Sequence, residues 1–191
     1  MRYVIIYLGG NMNISFRKLN NDKKEFIKLY KWCQNDFVYE WFEQRKLTLD
    51  EIIQKYQNKL EKKKQDLFII TCDNKDIGLV QIYKFEKDIN LEELNKYKNI
   101  YEFDIFIGEK KYLSKGIGKE ITDKINGIIY NIYNADAIIL RPFKRNIRAI
   151  KCYEKCNFNL IKEYDGVDTL GNKEIISILL KENTNAGFHQ N

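Results

Sequence analysis

Apolar and polar positions along this 191-residue chain change period several times, and each change marks an element. Residues 14–18 alternate with period two and predict a strand. Over 22–33 the period becomes helical, with Phe26, Leu29, Tyr30 and Cys33 on one face. Thr48 with Glu51 three positions later is a capping-box signature, and the helix it opens carries Ile52, Ile53, Tyr56 and Leu60 on one side. Residues 67–71 and 77–85 are apolar runs around the turn segment CDNKD, the pattern of a hairpin. Residues 87–99 are polar and irregular and predict a loop with a helical turn; 100–107 predict another strand. A stripe of Ile121, Ile125, Ile128 and Ile132 defines a long helix starting at Ile117. Residues 137–140 form a short strand stopped by Arg141-Pro142, and 146–155 a helix with Ile147, Ile150 and Tyr153 together. Residues 158–164 and 174–180 flank a DG…GN turn as a last hairpin. The order β-α-α-β-β-β-α-β-α-β-β, with one proline and no repeat or low-complexity linker, predicts one α/β domain.

Composition narrows the chemistry. A hydrophobic share of 44% is enough for a sizeable core, and the net charge of +6 attracts anions: nucleic acid, acidic membrane or a polyphosphate cofactor. The basic residues are dispersed. Their one run, Lys62-Lys63-Lys64, falls at a predicted helix end, where cations complement the dipole. No basic-aromatic stacking motif appears, so nucleic acid is not an expected partner. No later segment is long and apolar enough to span a bilayer, and the opening MRYVIIYLGG is too short to do so and lacks a small-residue cleavage site. It fits either an added strand or an extension upstream of Met12. Cys33, Cys72, Cys152 and Cys156 contain no CxxC pair. Cys152 and Cys156 share a helix face and read as small packing residues in a reducing, cytoplasmic setting. The single histidine, His189, lies in a polar tail, which excludes a His-rich metal site; no metal is expected, and chemistry falls to carboxylate, tyrosine or backbone groups.

Two motifs carry that chemistry. In YLSKGIGKE (residues 112–120) a pair of glycines stands directly before a helix, where glycine is costly. Unpaired N–H groups at a helix start suit a pyrophosphate, and Ser114, Lys115 and Lys119 bracket the glycines; a tight turn is the plainer alternative. The segment is neither a Walker loop nor a dinucleotide fingerprint, since Ile121 stands where the third glycine would be. The second motif is RNIRAIKCYEKCNF (145–158).

KGIGKE together with NIRAIKCYEKCNF resembles the GNAT superfamily of acyl-CoA-dependent N-acyltransferases, over roughly residues 14–182. Within it the chain is most similar to the aminoglycoside 6′-N-acetyltransferases, through KWCQND, LTLDEIIQKY, IGLVQIYKF, EFDIFIGEKKYLSKGIGKE and NIRAIKCYEKCNF. The resemblance implies a mixed, mostly antiparallel central sheet flanked by helices, whose strands splay to hold acetyl-CoA. It implies an extension over 1–12, the acetyltransferase domain over 13–182 and a polar tail over 183–191. It assigns the cofactor to Phe106, Ile107, Lys115, Gly116, Ile117, Gly118, Lys119, Asn146 and Ala149. A homodimer fits the family. Three departures stand out: Leu113 for the usual Gln or Arg, Asn157 for the Gly before Phe158, and Arg141-Pro142 for Asp-Pro. The last replaces an aspartate that helps hold a cationic sugar with a residue that would repel one.

Acetyl transfer to an amine needs a neutral nucleophile, a polarised carbonyl and a proton for the leaving thiolate. In YEFDIFIG alternation puts Glu102, Asp104 and Phe106 on one face, opposite Tyr101, Phe103, Ile105 and Ile107. A carboxylate in a central strand is costly. Asp104 reads as the group that binds the acceptor ammonium and takes its proton, the role the resemblance gives it, or as one half of an ion pair at the sheet's rim. Tyr153 reads as the proton donor to the thiolate or as a core ring. Asn146 caps its helix and, by the resemblance, bonds the cofactor arm. Glu40, Trp41 and Glu43, in DFVYEWFEQR, join Glu102 and Asp104 as acceptor-binding candidates, with Glu92 and Glu93 behind them. The alternative for that loop is aromatic anchors with acids facing water. The expected acceptor is the aminoglycoside 6′-amine, or another small or protein amine.

Overall fold

The computed structural model describes residues 12–86, 89 and 91–184. Residues 1–11 and His189, on which two of the sequence readings fall, lie outside the described residues. Every predicted element forms: β1 (Ile14–Lys18), α1 (Lys23–Cys33), α3 (Leu49–Lys62), β2 (Gln65–Cys72), β3 (Lys75–Lys84), β4 (Ile100–Ile107), α4 (Ile117–Ile132), β5 (Ala137–Leu140), α5 (Ile147–Glu154), β6 (Asn159–Val167) and β7 (Lys173–Glu182). One α-helix among the described residues was not predicted. The loop after α1 contains α2 (Asp36–Tyr39), a single turn too short to show a period, which buries Val38. Local signals act as read. The Asp22 side chain accepts from the Glu25 N–H at 3.0 Å, and Thr48 and Glu51 form a complete capping box.

The sheet runs β1-β2-β3-β4-β5-β7-β6, and every neighbouring pair is antiparallel except β4 with β5. Helices cover both faces. On one, Ile117, Ile121, Ile125 and Ile129 of α4 pack on Val80, Ile82, Phe103 and Ile138. On the other, Phe26 and Leu29 of α1 and Ile52 and Tyr56 of α3 pack on Ile69, Leu79 and Phe106. Phe103 and Phe106 thus face opposite layers. Glu102 and Asp104 share the α3 side with Phe106, as the alternation predicts.

The parallel β4–β5 pairing stops early. It joins Ile100, Tyr101 and Glu102 to Ala137, Ile138 and Ile139 and goes no further. Beyond that point β4 stays with β3, through Ile107 opposite Gly78 and the Gly108 N–H on the Ile77 carbonyl at 2.7 Å. The chain leaving β5 stays with β7 instead: the Pro142 carbonyl accepts from the Ser177 N–H at 3.0 Å, and the Lys144 N–H donates to Ile175 at 2.7 Å. The two strands diverge because each follows its outer neighbour. Backbone groups alternate in direction along a strand. The bonds that tie Ile100 and Gly108 to the β3 side therefore turn the N–H and C=O of Ile105 and Ile107 into the gap.

Gly78 holds the inner wall in place. A Cβ added there would lie 2.2 Å from the Phe106 carbonyl oxygen, so only glycine lets β3 approach the divergent end of β4. Gly78→Ala should lower unfolding free energy by about 1–3 kcal/mol, read from the midpoint of urea denaturation. An unchanged midpoint would mean that β3 and β4 are not so tightly apposed.

Candidate active site

The divergence opens a cleft of about 740 Å³. Ile105 and Ile107 form one wall and Leu140, Arg141 and Pro142 the other. The start of α4 and one face of α5 close one end; Trp41 and Phe42, α3 side chains and the β6–β7 turn close the other.

The glycine loop builds the first end. Ser114 (φ 59°) and Gly116 (φ 77°) both take left-handed conformations, which turn the chain sharply into α4. Gly116 is the N-cap and offers no side chain, so among the described residues the N–H groups of Ile117 and Gly118 have no side-chain cap. Gly118 answers a different need. It is helical and lines the cleft, and a Cβ there would meet only the Cys152 sulfur, at 3.4 Å, an ordinary contact. The protein's own packing does not require glycine at this position; a ligand lying on the helix start would. Arg148, Lys151 and Lys155 line the same end, and Lys119 lines it while pairing with Asp123 at 2.6 Å. Uncapped N–H groups, an open Gly118 and these cations fit a pyrophosphate. Lys115 and Ile117 do not line the cleft, and the Ile117 side chain is buried in the core. Phe106, Ile107, Asn146 and Ala149 do line it; the Asn146 side-chain oxygen Oδ1 caps α5 by accepting from the Ala149 N–H at 3.2 Å.

Asp104 lines the cleft. Its carboxylate opens onto the cavity with protein packed round the rest of it, and this desolvation is the largest influence on its pKa, which is raised. The Tyr83 hydroxyl donates to it at 3.1 Å, and Lys59, Arg141 and Lys55 oppose the rise. Among the described residues no lysine forms an ion pair with Asp104 itself. Tyr153 also lines the cleft, packing edge-on to Phe103 with ring centroids 6.3 Å apart. Burial pushes its phenol pKa up, so it stays protonated through neutral pH.

The other acids predicted to bind the acceptor are engaged elsewhere. Glu102 is buried and accepts both arms of Arg141, at 2.6 and 2.8 Å. Arg141 in place of an aspartate thus comes with its own counter-charge, and the repulsion expected of it is largely cancelled. Glu43 is buried against Lys55, and Glu40 pairs with Arg145 at 3.4 Å. Neither Glu40, Glu43 nor Glu102 lines the cleft, whereas Trp41 does, with the Arg145 guanidinium 4.7 Å over its ring.

Sequence reasoning passed over Gln81, Tyr83 and Lys59. Gln81 is 2% exposed and lies opposite Asp104 on β3, and its side-chain oxygen accepts from the Lys59 ammonium. A glutamine inside the apolar run IGLVQIYKF was a visible signal. Lys59 was not, since it flanks the α3 stripe like many solvated lysines.

Comparison with known proteins agrees with this fold. A family model described as an acetyltransferase (GNAT) domain matches residues 22–166. The aminoglycoside N(6′)-acetyltransferase type 1 of Klebsiella pneumoniae is 23% identical over 157 residues, covering 80% of this chain and 77% of that protein. The structure of AAC(6′)-Ib in complex with paromomycin and acetyl-CoA superposes with a TM-score of 0.73 at 19% identity, covering 89% and 93% of the two chains. The spermidine N-acetyltransferase of Vibrio cholerae in complex with CoA and spermine gives 0.70 at 18%, covering 88% and 95%. The chain belongs to the GNAT acetyltransferase family.

Proposed function

We propose that the protein transfers acetyl from acetyl-CoA to a primary amine of a small molecule by direct attack within a ternary complex. The observation that carries this reading is the convergence, in one cleft, of Asp104, Tyr153, the open β4 edge and the uncapped start of α4. Acetyl-CoA, when bound, supplies an activated thioester. The start of α4 with Lys119, Arg148 and Lys151 would hold its pyrophosphate, and the backbone of Ile105 and Ile107 would run beside its arm and aim N–H groups at the thioester oxygen. Asp104 would bind the acceptor's ammonium and accept its proton. Tyr153, protonated and without a hydrogen-bond partner among the described residues, would donate to the departing thiolate. A reducing, cytoplasmic setting suits the four cysteines, all unbridged.

The acceptor supported by the sequence resemblance and by the curated relatives is the aminoglycoside 6′-amine. A second reading, another small amine, rests on one observation: the acids predicted to hold a polycation are paired with Arg141, Lys55 and Arg145. Thiol release from acetyl-CoA, measured with aminoglycosides with and without a free 6′-amine, separates the two. Turnover confined to compounds carrying that amine supports the first; turnover only with other amines supports the second.

Two variants test the roles. Asp104→Asn should lower kcat/KM at least about 100-fold. The raised Asp104 pKa places its acid limb above that of an ordinary carboxylate. Activity is present above that pKa and lost as pH falls through it, and the limb should vanish in the variant. A wild-type profile flat down to pH 4 would remove Asp104 from the role. Gly118→Ala should raise thermal stability by up to about 1 kcal/mol, since alanine favours helix, while weakening CoA binding in calorimetry. Unchanged affinity would mean that nothing lies against Gly118.

A further inference from the structure

The acceptor end of the cleft holds an opposite pair of charges that the acetyl-transfer reading uses only in part. Asp104 and Gln81 are direct cross-strand neighbours on β4 and β3, a relation that puts their side chains roughly 5 Å apart at Cβ. The Lys59 ammonium rests on the Gln81 side-chain oxygen and lines the cleft with Asp104. Among the described residues Lys59 forms no ion pair, in contrast with the other cations round this end: Lys55 is held by Glu43, Arg141 by Glu102 and Arg145 by Glu40 and Glu174. The second acid on the wall, Asp168, has its oxygens taken up by Leu170 and Asn172 in the β6–β7 turn.

Lys59 is therefore a cation held half-buried beside the proposed amine-binding carboxylate without a carboxylate of its own. Desolvation is the largest influence on it, followed by the like charge of Lys55. Asp104 and Glu43 oppose these, and its pKa falls to about 8. Such a group is poorly compensated by the protein, and an anion arriving from outside would complete it.

Resting on the acetyl-transfer reading, we propose that the acceptor is a small zwitterion: its amine binds at Asp104 and a carboxylate a few bonds away binds at Lys59. Lys59 is then the specificity residue of the site. It favours an amino-acid-like acceptor and disfavours a second positive charge next to the reacting amine. One negative group and one positive group side by side match one zwitterion, and the aromatic rings of Trp41 and Phe42 bound the space around them.

The test compares glycine, β-alanine and 4-aminobutyrate with their carboxamides, alongside spermidine and kanamycin, in thiol release at pH 7. Wild type should prefer at least one acid over its own carboxamide by about tenfold or more in kcat/KM. Lys59→Gln should bring the acid-to-carboxamide ratio of kcat/KM to about one, and Lys59→Glu should shift preference toward spermidine. The acid preference should fall as pH rises through 8, where Lys59 loses its proton. Melting temperatures close to wild type would show that the variants fold. Equal use of acids and carboxamides by wild type, or a preference untouched in Lys59→Gln, would overturn the proposal and leave acetyl transfer standing. Absence of turnover with every amine would sink the acetyl-transfer reading instead. In that event calorimetry with CoA-loaded protein decides the zwitterion separately: β-alanine binding more tightly than β-alaninamide, by a margin lost in Lys59→Gln, supports it, and equal binding overturns it.

Discussion

The parting of β4 from β5 after Glu102 and Ile139 is the constraint on which the site depends. A parallel pair that continued to Ile107 would consume the backbone groups of Ile105 and Ile107 and close the sheet. The register prevents it. β4 remains bonded to β3 as far as Gly108, and the chain after Leu140 remains bonded to β7 through Pro142 and Lys144. Each strand keeps its bonds to its outer neighbour while the ladder between β4 and β5 stops at Glu102 and Ile139. The sheet keeps its continuity at one end and yields a cleft at the other, with polar backbone lining a wall that would otherwise be wholly apolar.

The divergence also explains the burial of Glu102. It is the last β4 residue paired to β5, and Arg141 lies just past the last paired residues of β5. Their forked contact ties the two strands together where the ladder ends. Removing either partner would take this forked contact from a carboxylate that is buried, a costly loss in such a place. The exchange of an acid for a base at position 141 is thus a local rearrangement in which the net charge of the wall depends on two residues, and a motif comparison limited to position 141 misreads it.

Much of the fold was legible because it rests on local periodicity. The Thr48–Glu51 box, the alternation in YEFDIFIG and the α4 stripe through Ile121, Ile125 and Ile128 each act within a few residues and form as read, while Ile132, read into the same stripe, is exposed. The α2 turn escaped because four residues cannot display a 3.6-residue period. The candidate site divides in the same way. The glycine loop and Asp104 announce themselves by being costly in their local setting, glycines at a helix start and a carboxylate in an apolar strand. Glu40, Glu43 and Glu102 looked equally available, yet each has a basic partner far away in sequence, between 12 and 105 residues distant. Pairings of that range leave no trace in local pattern, so which acids stay available to a ligand is a property of the tertiary structure alone. Lys59 is the converse case, an ordinary-looking lysine made unusual by what surrounds it.

Gly116 and Gly118 look alike in KGIGKE but answer different demands. At Gly116 a Cβ would meet nothing within 4 Å, so space does not require glycine; its φ of 77° does, because a side chain is strained in that region. At Gly118 the backbone is helical and any residue could adopt it, so conformation does not require glycine; and a Cβ would clash with no protein atom. Glycine in a helix's first turn without a conformational or packing reason costs stability, on the order of 1 kcal/mol relative to alanine. That cost is rational only if a third body occupies the space a Cβ would fill. The first glycine turns the chain so that the start of α4 points into the cleft, and the second leaves that start bare for an anion to reach.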